Sequence, residues 1–348
     1  MLIAVWVARV LASEFHMGLA AANASHAGLL AWDASWYQRI AAGGYSSLGD
    51  GALRFFPLLS VLARSFRAVP GVTAGEAVII VANIASLAAF AVLYRIVVFE
   101  LGDEGCARRA VWLLALAPPT FVLVMGYADS LLVVTSLVAF LGLRQRRYGL
   151  AIGAGILAGL SRPVGLLLAI PAAIEMGANW FSLSRRDRMA AFAAVIAAPA
   201  GAAAYLGWVR EVFGQFLLPF REQLSSSHRG AVADPFVTVW SAFVDFVHGT
   251  HLGVAEHALW ALLFVVLAGY LLSRLPASYG WYSVGLLAVV LTASNLASLE
   301  RYGLGCFPFV VAAAMLARGR NTFRVVIGLS GLLMLTCAVL ALLGKYVP

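Results

Sequence analysis

About eleven apolar runs, separated by short basic or polar stretches, constrain this chain more than any other feature of its sequence. A bilayer core of about 30 Å is crossed by on the order of 20 apolar residues in helical form. The runs centre on residues 2–22, 76–98, 110–125, 129–143, 149–161, 164–178, 189–209, 256–273, 279–293, 303–317 and 325–343. Hydrophobic residues make up 62% of the 348 and charged residues 11%, against about 25% charged in an average soluble domain. No water-soluble core hides that much apolar surface. The expected fold is therefore an all-α, polytopic membrane protein of about eleven spans, forming one unit over residues 1–348, since no linker or internal repeat divides it.

The net charge of +8 does not point to nucleic acid. Lys345 is the one lysine among 24 basic residues, and most of the arginines occupy short loops between apolar runs. Arg108 and Arg109, Arg144, Arg146 and Arg147, Arg185, Arg186 and Arg188, Arg274, then Arg318, Arg320 and Arg324 all fall on one side of the expected topology. Positive loops stay cytoplasmic. That rule puts the N-terminus inside and sends residues 23–75, 126–130, 160–165, 210–255 and 294–302 to the external face of the cell membrane. The first run reads as a retained helix rather than a removable signal, because it lacks a basic start and is interrupted by Arg9 and Glu14. Those two charges are expected to be paired inside a bundle. Cys106, Cys306 and Cys337 are widely separated and read as structural.

The outward segments hold the polar residues that chemistry would need. In Trp32-Asp33-Ala34-Ser35-Trp36-Tyr37-Gln38-Arg39-Ile40-Ala41, a helix would set Trp32, Trp36, Tyr37 and Ile40 along one side at the membrane interface and hold Asp33 just above the headgroups. Composition alone also allows an ordinary aromatic belt with Asp33 solvated or capping a helix. Gly44-Tyr45 and Arg54-Phe55-Phe56-Pro57-Leu58 follow in the same segment.

Taken together, these residues resemble a known family. Trp32-Asp33-x-x-Trp36-Tyr37-x-x-Ile40-Ala41-x-x-Gly44-Tyr45 with Phe55-Phe56-Pro57-Leu58 is similar to the signature of the PIG-V mannosyltransferases. Tyr127-Ala128-Asp129-Ser130-Leu131, Ser161-Arg162-Pro163-Val164-Gly165 and Ser298-x-x-Arg301-Tyr302 with Phe307-Pro308 resemble later motifs of that family in the same order. Asp129 stands where the family has Glu, Pro163 and Val164 replace the middle of its third motif, and Glu300 precedes Arg301. The resemblance implies a GT-C glycosyltransferase that uses a polyprenyl-phosphate sugar, with its catalytic acid in the first external loop, at Asp33.

Such a reaction needs one base and a cationic site. Phosphate leaves as a stable anion, so a single carboxylate suffices to take the proton of the attacking hydroxyl, and the anomeric centre inverts. Guanidinium groups suit the departing phosphate because they stay charged and bind oxygens in a fork. Arg162 and Arg301 are the leading candidates, with Arg54 third; an internal ion pair of Arg301 with Glu300 or Asp129 is the alternative. Trp32, Trp36, Tyr37, Asp129, Glu300, Tyr302, His228 and Arg229 are candidates for substrate contact, and Asp234, Asp245, His248 and His251 share the second long loop. No metal and no cofactor is expected, because no spacing on one helix pairs two carboxylates. The expected partners are the lipid-linked donor, a lipid or glycan acceptor and the membrane lipids. The alternative on hydropathy alone is a transporter or lipid flippase.

Overall fold

The computed structural model describes residues 1–66, 68–225, 230–248 and 252–347, without the side chains of 252–256. Among the described residues the secondary structure is helical, with one isolated bridge between Val232 and Ala293. In chain order the α-helices are α1 (Leu2–Glu14), α2 (Gly18–Ala27), α3 (Asp33–Gly43), α4 (Leu58–Phe66), α5 (Ala74–Leu101), α6 (Glu104–Leu116), α7 (Asp129–Arg144), α8 (Tyr148–Ser161) and α9 (Ala169–Asn179). They continue with α10 (Arg185–Phe213), α11 (Leu218–Gln223), α12 (Pro235–His248), α13 (Leu252–Arg274), α14 (Ala277–Leu291), α15 (Leu299–Gly305), α16 (Phe307–Leu316) and α17 (Arg320–Leu342).

Among the described residues, five helical stretches are long and apolar enough to cross a membrane: Ala74–Leu101, Pro163–Ser182, Arg185–Phe213, His257–Arg274 and Arg320–Leu342. Each coincides with a run read from the sequence. A sixth arises if α15 and α16, bent by 86° at their junction, count as one broken span. The other expected spans are shorter or interrupted, and proline explains two of these cases. Pro118 and Pro119 end α6 at Leu116 and turn the chain into a 3-10 helix over Pro118–Leu123, because proline disfavours helix in the residue before it and lacks an N–H. Pro308 sits in the first turn of α16, where its missing N–H costs nothing, but it could not continue α15. These are the features of a helical membrane protein, with α7, α8 and α14 too short to span singly at 16, 14 and 15 residues.

The expected N-terminal span over 2–22 is not continuous. The chain breaks at residues 15–17, where His16 has φ +48° and Gly18 φ +83°, and α2 folds back along α1. Arg9 finds no carboxylate there. Its Nε donates to the Ser25 carbonyl at 3.1 Å and its second terminal nitrogen to the His26 carbonyl at 3.2 Å, while Glu14 is exposed. The free carbonyls at the end of a short helix thus take the role expected of a counter-ion.

The residues fall into two compact units that interleave along the chain: Met1–Leu48, Leu59–Ser130 and Ala313–Pro348 in one, Gly49–Leu58 and Leu131–Ala312 in the other. In the first, α5 is the axis. Its start is held by a capping box between Thr73 and Glu76, and a Cβ on Gly75 would strike Leu30 and crowd Gln38, so α3 and the turn before it press against this end. About 42 Å away along the helix, α5 ends beside Asp103, Arg108 and Arg109. There the Cys106 backbone N–H donates to Asp103 (2.9 Å), which with Arg109 nearby holds that carboxyl below the ordinary aspartate range.

In the second unit Phe140, Tyr279, Tyr282 and Phe307 form an aromatic centre with ring centroids 4.9 to 5.3 Å apart around Phe140. Beside it α8 crosses α10 through small residues. A Cβ on Gly155 would lie 3.0 Å from the Ala197 Cβ, one on Gly159 would run into the Ala198 carbonyl, and one on Gly201 into the Ile156 carbonyl. Glycines four apart on one helix let two backbones touch, the usual device where lipid supplies no hydrophobic drive for association. Gly159→Leu is therefore expected to separate the pair and lower stability by about 1–3 kcal/mol, read as earlier thermal unfolding in detergent. Gly153→Leu is the control: a Cβ there meets nothing within 4 Å, and little change is expected.

Candidate functional site

Asp33 is the first residue of α3, and the chain enters it through an unusual turn. Trp32 has φ +58° and ψ −129°, a region that strongly favours glycine. Holding a tryptophan there costs on the order of 1–3 kcal/mol and persists only where the surroundings fix it. One fixture is visible: the Trp32 indole N–H donates to the Ala341 carbonyl of α17 at 2.8 Å. This corrects the sequence reading in which Trp32 and Trp36 share a helical face with Tyr37 and Ile40. Trp32 lies outside the helix. Trp36 stays half-buried with the Arg39 guanidinium 4.0 Å from its ring centre, whereas Tyr37 and Ile40 are 5% and 3% exposed. Ser60 and Arg64 of α4 bind the Tyr37 and Ala41 carbonyls, so α3 is clamped from both sides and Asp33 is left half-buried at its mouth.

The second carboxylate of this unit comes close by in the fold. The Gly126 N–H donates to the Leu29 carbonyl at 3.1 Å, and a Cβ on Gly126 would stand 3.2 Å from that of Ala34 and collide with Val78. Only a glycine allows this approach. It lays Gly126-Tyr127-Ala128-Asp129 against the turn that carries Asp33, with Tyr127 and Asp129 buried. Both acids begin helices, where the N-terminal dipole favours negative charge.

The cationic candidates lie in the other unit. Arg162 caps the end of α8 in extended backbone, just before the 3-10 turn Pro163–Leu168. Arg301 and Tyr302 open α15 after Ser298, whose φ of +64° marks another tight break. The guanidinium carbons of Arg162 and Arg301 lie 5.2 and 5.8 Å from the centre of the Tyr302 ring, so two cations distant in sequence converge on one aromatic ring. Glu300 is buried beside them, and the His257 Nδ1–H donates to its Oε2 at 3.0 Å. Arg54 belongs to a different cluster: its Nε donates to the Gly51 carbonyl, its guanidinium rests 4.9 Å from the Phe55 ring centre, and the neighbouring Leu53 carbonyl accepts from Tyr205.

His257 was not among the residues singled out in the sequence, though a signal existed. It is an ionisable side chain at the start of an apolar run, which in a membrane segment is a functional candidate by default. His228 and Arg229, and His251 with them, lie outside the described residues. Asp234 caps α12, accepting from the Phe236 and Val237 N–H groups, and His248 is exposed at the other end of that helix. Among the described residues no three His, Cys, Asp or Glu side chains gather in a way that would hold a metal ion.

In each unit the acidic or cationic candidates stand at one end and an arginine-rich turn at the other. α5 separates Asp33 from Arg108 and Arg109. α8, about 21 Å long, separates Arg162 from Arg144 and from Arg146, whose guanidinium donates to Asn179 and Ser182. The chain matches no known protein-family model and no curated protein sequence.

Proposed function

We propose that this chain is a membrane glycosyltransferase that moves a sugar, mannose by the motif resemblance, from a polyprenyl-phosphate donor to a hydroxyl of a lipid or glycan acceptor. The observation that carries this reading is the convergence of Arg162 and Arg301 on Tyr302 at the ends of broken helices. Two guanidiniums held near one ring offer forked donors and two positive charges that a phosphate dianion or diester would engage together.

In this reading Asp33 accepts the proton of the acceptor hydroxyl. The freed oxygen lone pair forms the new bond to the anomeric carbon as the bond from that carbon to the phosphate oxygen breaks, and its electron pair leaves on the phosphate. The arginines neutralise that charge, and the configuration inverts. Asp33 has the features of a base held in one pose: a helix start fixed by a strained, hydrogen-bonded tryptophan.

A transporter is the second reading, and one observation favours it. The 86° break between α15 and α16 with buried Glu300 and Arg301 beside it resembles the discontinuous helices that carry ion sites in transporters. Both are tested together by reconstituting the purified protein in vesicles with labelled polyprenyl-phosphate-mannose and a membrane lipid extract. Label is expected to pass to an acceptor lipid or glycan. No transfer from any lipid-linked sugar, together with movement of a solute or lipid across the vesicle, would overturn the transferase reading.

A further inference from the structure

The segment 210–255 reads from the sequence as an external loop, yet it contains a 14-residue helix with three distinct faces. Val239 and Ala242 of α12 pack against Ala258, Leu291 and Leu296, which seats the helix on the start of α13 and the end of α14. Backbone bonds fix its approach: the Ala233 N–H donates to the Thr292 carbonyl (2.8 Å) and the Ser294 N–H to the Ala231 carbonyl (3.0 Å). A second face carries Phe236, Trp240, Phe243 and Val247, spaced four, three and four apart, and these are 84%, 66%, 43% and 64% exposed. Opposite that stripe lie Thr238, Ser241, Asp245 and His248, at the same helical spacing.

Water is the wrong solvent for the second face and lipid the wrong solvent for the third. A helix at right angles to the bilayer would put both in one medium. At about 21 Å it is also shorter than the hydrocarbon core. The apolar stripe does not stand alone: α13, one of the five membrane-length stretches, turns Leu259, Leu262 and Val266 outward at 46%, 61% and 58% exposure. A single lipid boundary covers both.

We infer that α12 lies flat in the headgroup zone of the bilayer, with Phe236, Trp240, Phe243 and Val247 sunk into the acyl boundary and Thr238, Ser241, Asp245 and His248 facing water. Aromatic residues favour that depth. Because Ala258 follows His257, the partner of Glu300, the helix marks the level of the membrane surface at the end of the unit that holds Arg162, Arg301 and Tyr302. This placement stands on the membrane character of the chain and does not depend on the transferase reading.

Site-directed spin labels test it. Cys106 and Cys306 are buried, so a Cys337→Ala background leaves one reactive cysteine at a time, introduced at Phe236, Trp240, Phe243 or Val247 and, in a second set, at Thr238, Ser241 or His248. The full-length protein is reconstituted in vesicles of phosphatidylcholine and phosphatidylglycerol, and collisions with oxygen, which concentrates in lipid, are compared with those of a water-soluble nickel complex. Oxygen should dominate at the first set and nickel at the second, alternating with a period of about 3.6 residues. Nickel dominating everywhere would place the helix in water, and oxygen dominating everywhere would make it a buried membrane segment. Spin–spin broadening at the first set that vanishes on dilution with unlabelled protein would make a second copy the occupant. Each of these three results overturns the inference. Should a labelled variant fail to fold, quenching by bromolipids is compared between the native protein and Trp240→Phe; an unchanged quenched fraction counts against the inference, and a reduced one supports it.

Discussion

Asp33→Asn is expected to lower sugar transfer by about 10²- to 10⁴-fold, the usual contribution of a positioned general base, while the protein purifies and melts as before. The amide matches the carboxylate in size and keeps an acceptor oxygen at the start of α3. Trp32 keeps its bond to Ala341, and Ser60 and Arg64 keep theirs to Tyr37 and Ala41. What is lost is the lone pair that takes the proton. The close packing at Gly126 supplies the necessary comparison, because Asp129 sits on the adjoining strand of chain. Asp129→Asn should weaken transfer less. If Asp33→Asn retains activity and Asp129→Asn abolishes it, the roles are reversed; if neither matters, the assigned chemistry is wrong. Asp33→Glu, with its base on a longer arm, should recover part of the rate.

The parts of this molecule that were legible in advance are those whose signal is local. Runs of apolar residues locate the five long stretches, and the Pro118-Pro119 pair and Pro308 carry the signal that shortens two more. The order of polar residues along the chain separated Asp33 and Arg162 from the arginine turns, and the two groups do stand at opposite ends within each unit. Other features could not be read because they depend on a partner far away in sequence. Trp32 carries a backbone conformation that its residue type disfavours, so only the anchor at Ala341 reveals it. Gly159 shows its importance only once the Ala198 carbonyl is beside it. Arg9 suggested a missing counter-ion, whereas backbone carbonyls of the returning α2 satisfy it.

A buried triad at the arginine-rich end of the second unit carries the largest expected loss of stability. Glu175 of α9 is 8% exposed, and one terminal nitrogen of Arg144 from α7 lies 3.0 and 3.2 Å from its two carboxylate oxygens. The Ser278 hydroxyl from α14 donates to the same carboxylate at 2.6 Å. Three helices are thus joined through one acid. Arg144→Met removes the cation and leaves a buried charge with a hydroxyl for company, a change that costs about 3–5 kcal/mol in protein interiors. Arg144 is a quarter exposed, which puts the expectation at the lower end of that range. The reverse change should be milder. In Glu175→Met the freed guanidinium can extend along its stem toward water, as long basic side chains do at membrane boundaries. The double variant should melt closer to the native protein than Arg144→Met does, because apolar replacement of a whole buried pair is often neutral or stabilising. Thermal unfolding of the four proteins in one detergent measures the order directly, and an Arg144→Met protein as stable as the native one would show that the triad contributes nothing. Arg162 lies at the far end of α8 from this triad. Transfer per folded molecule should therefore stay unchanged across the series, which separates a failure of packing from a failure of chemistry.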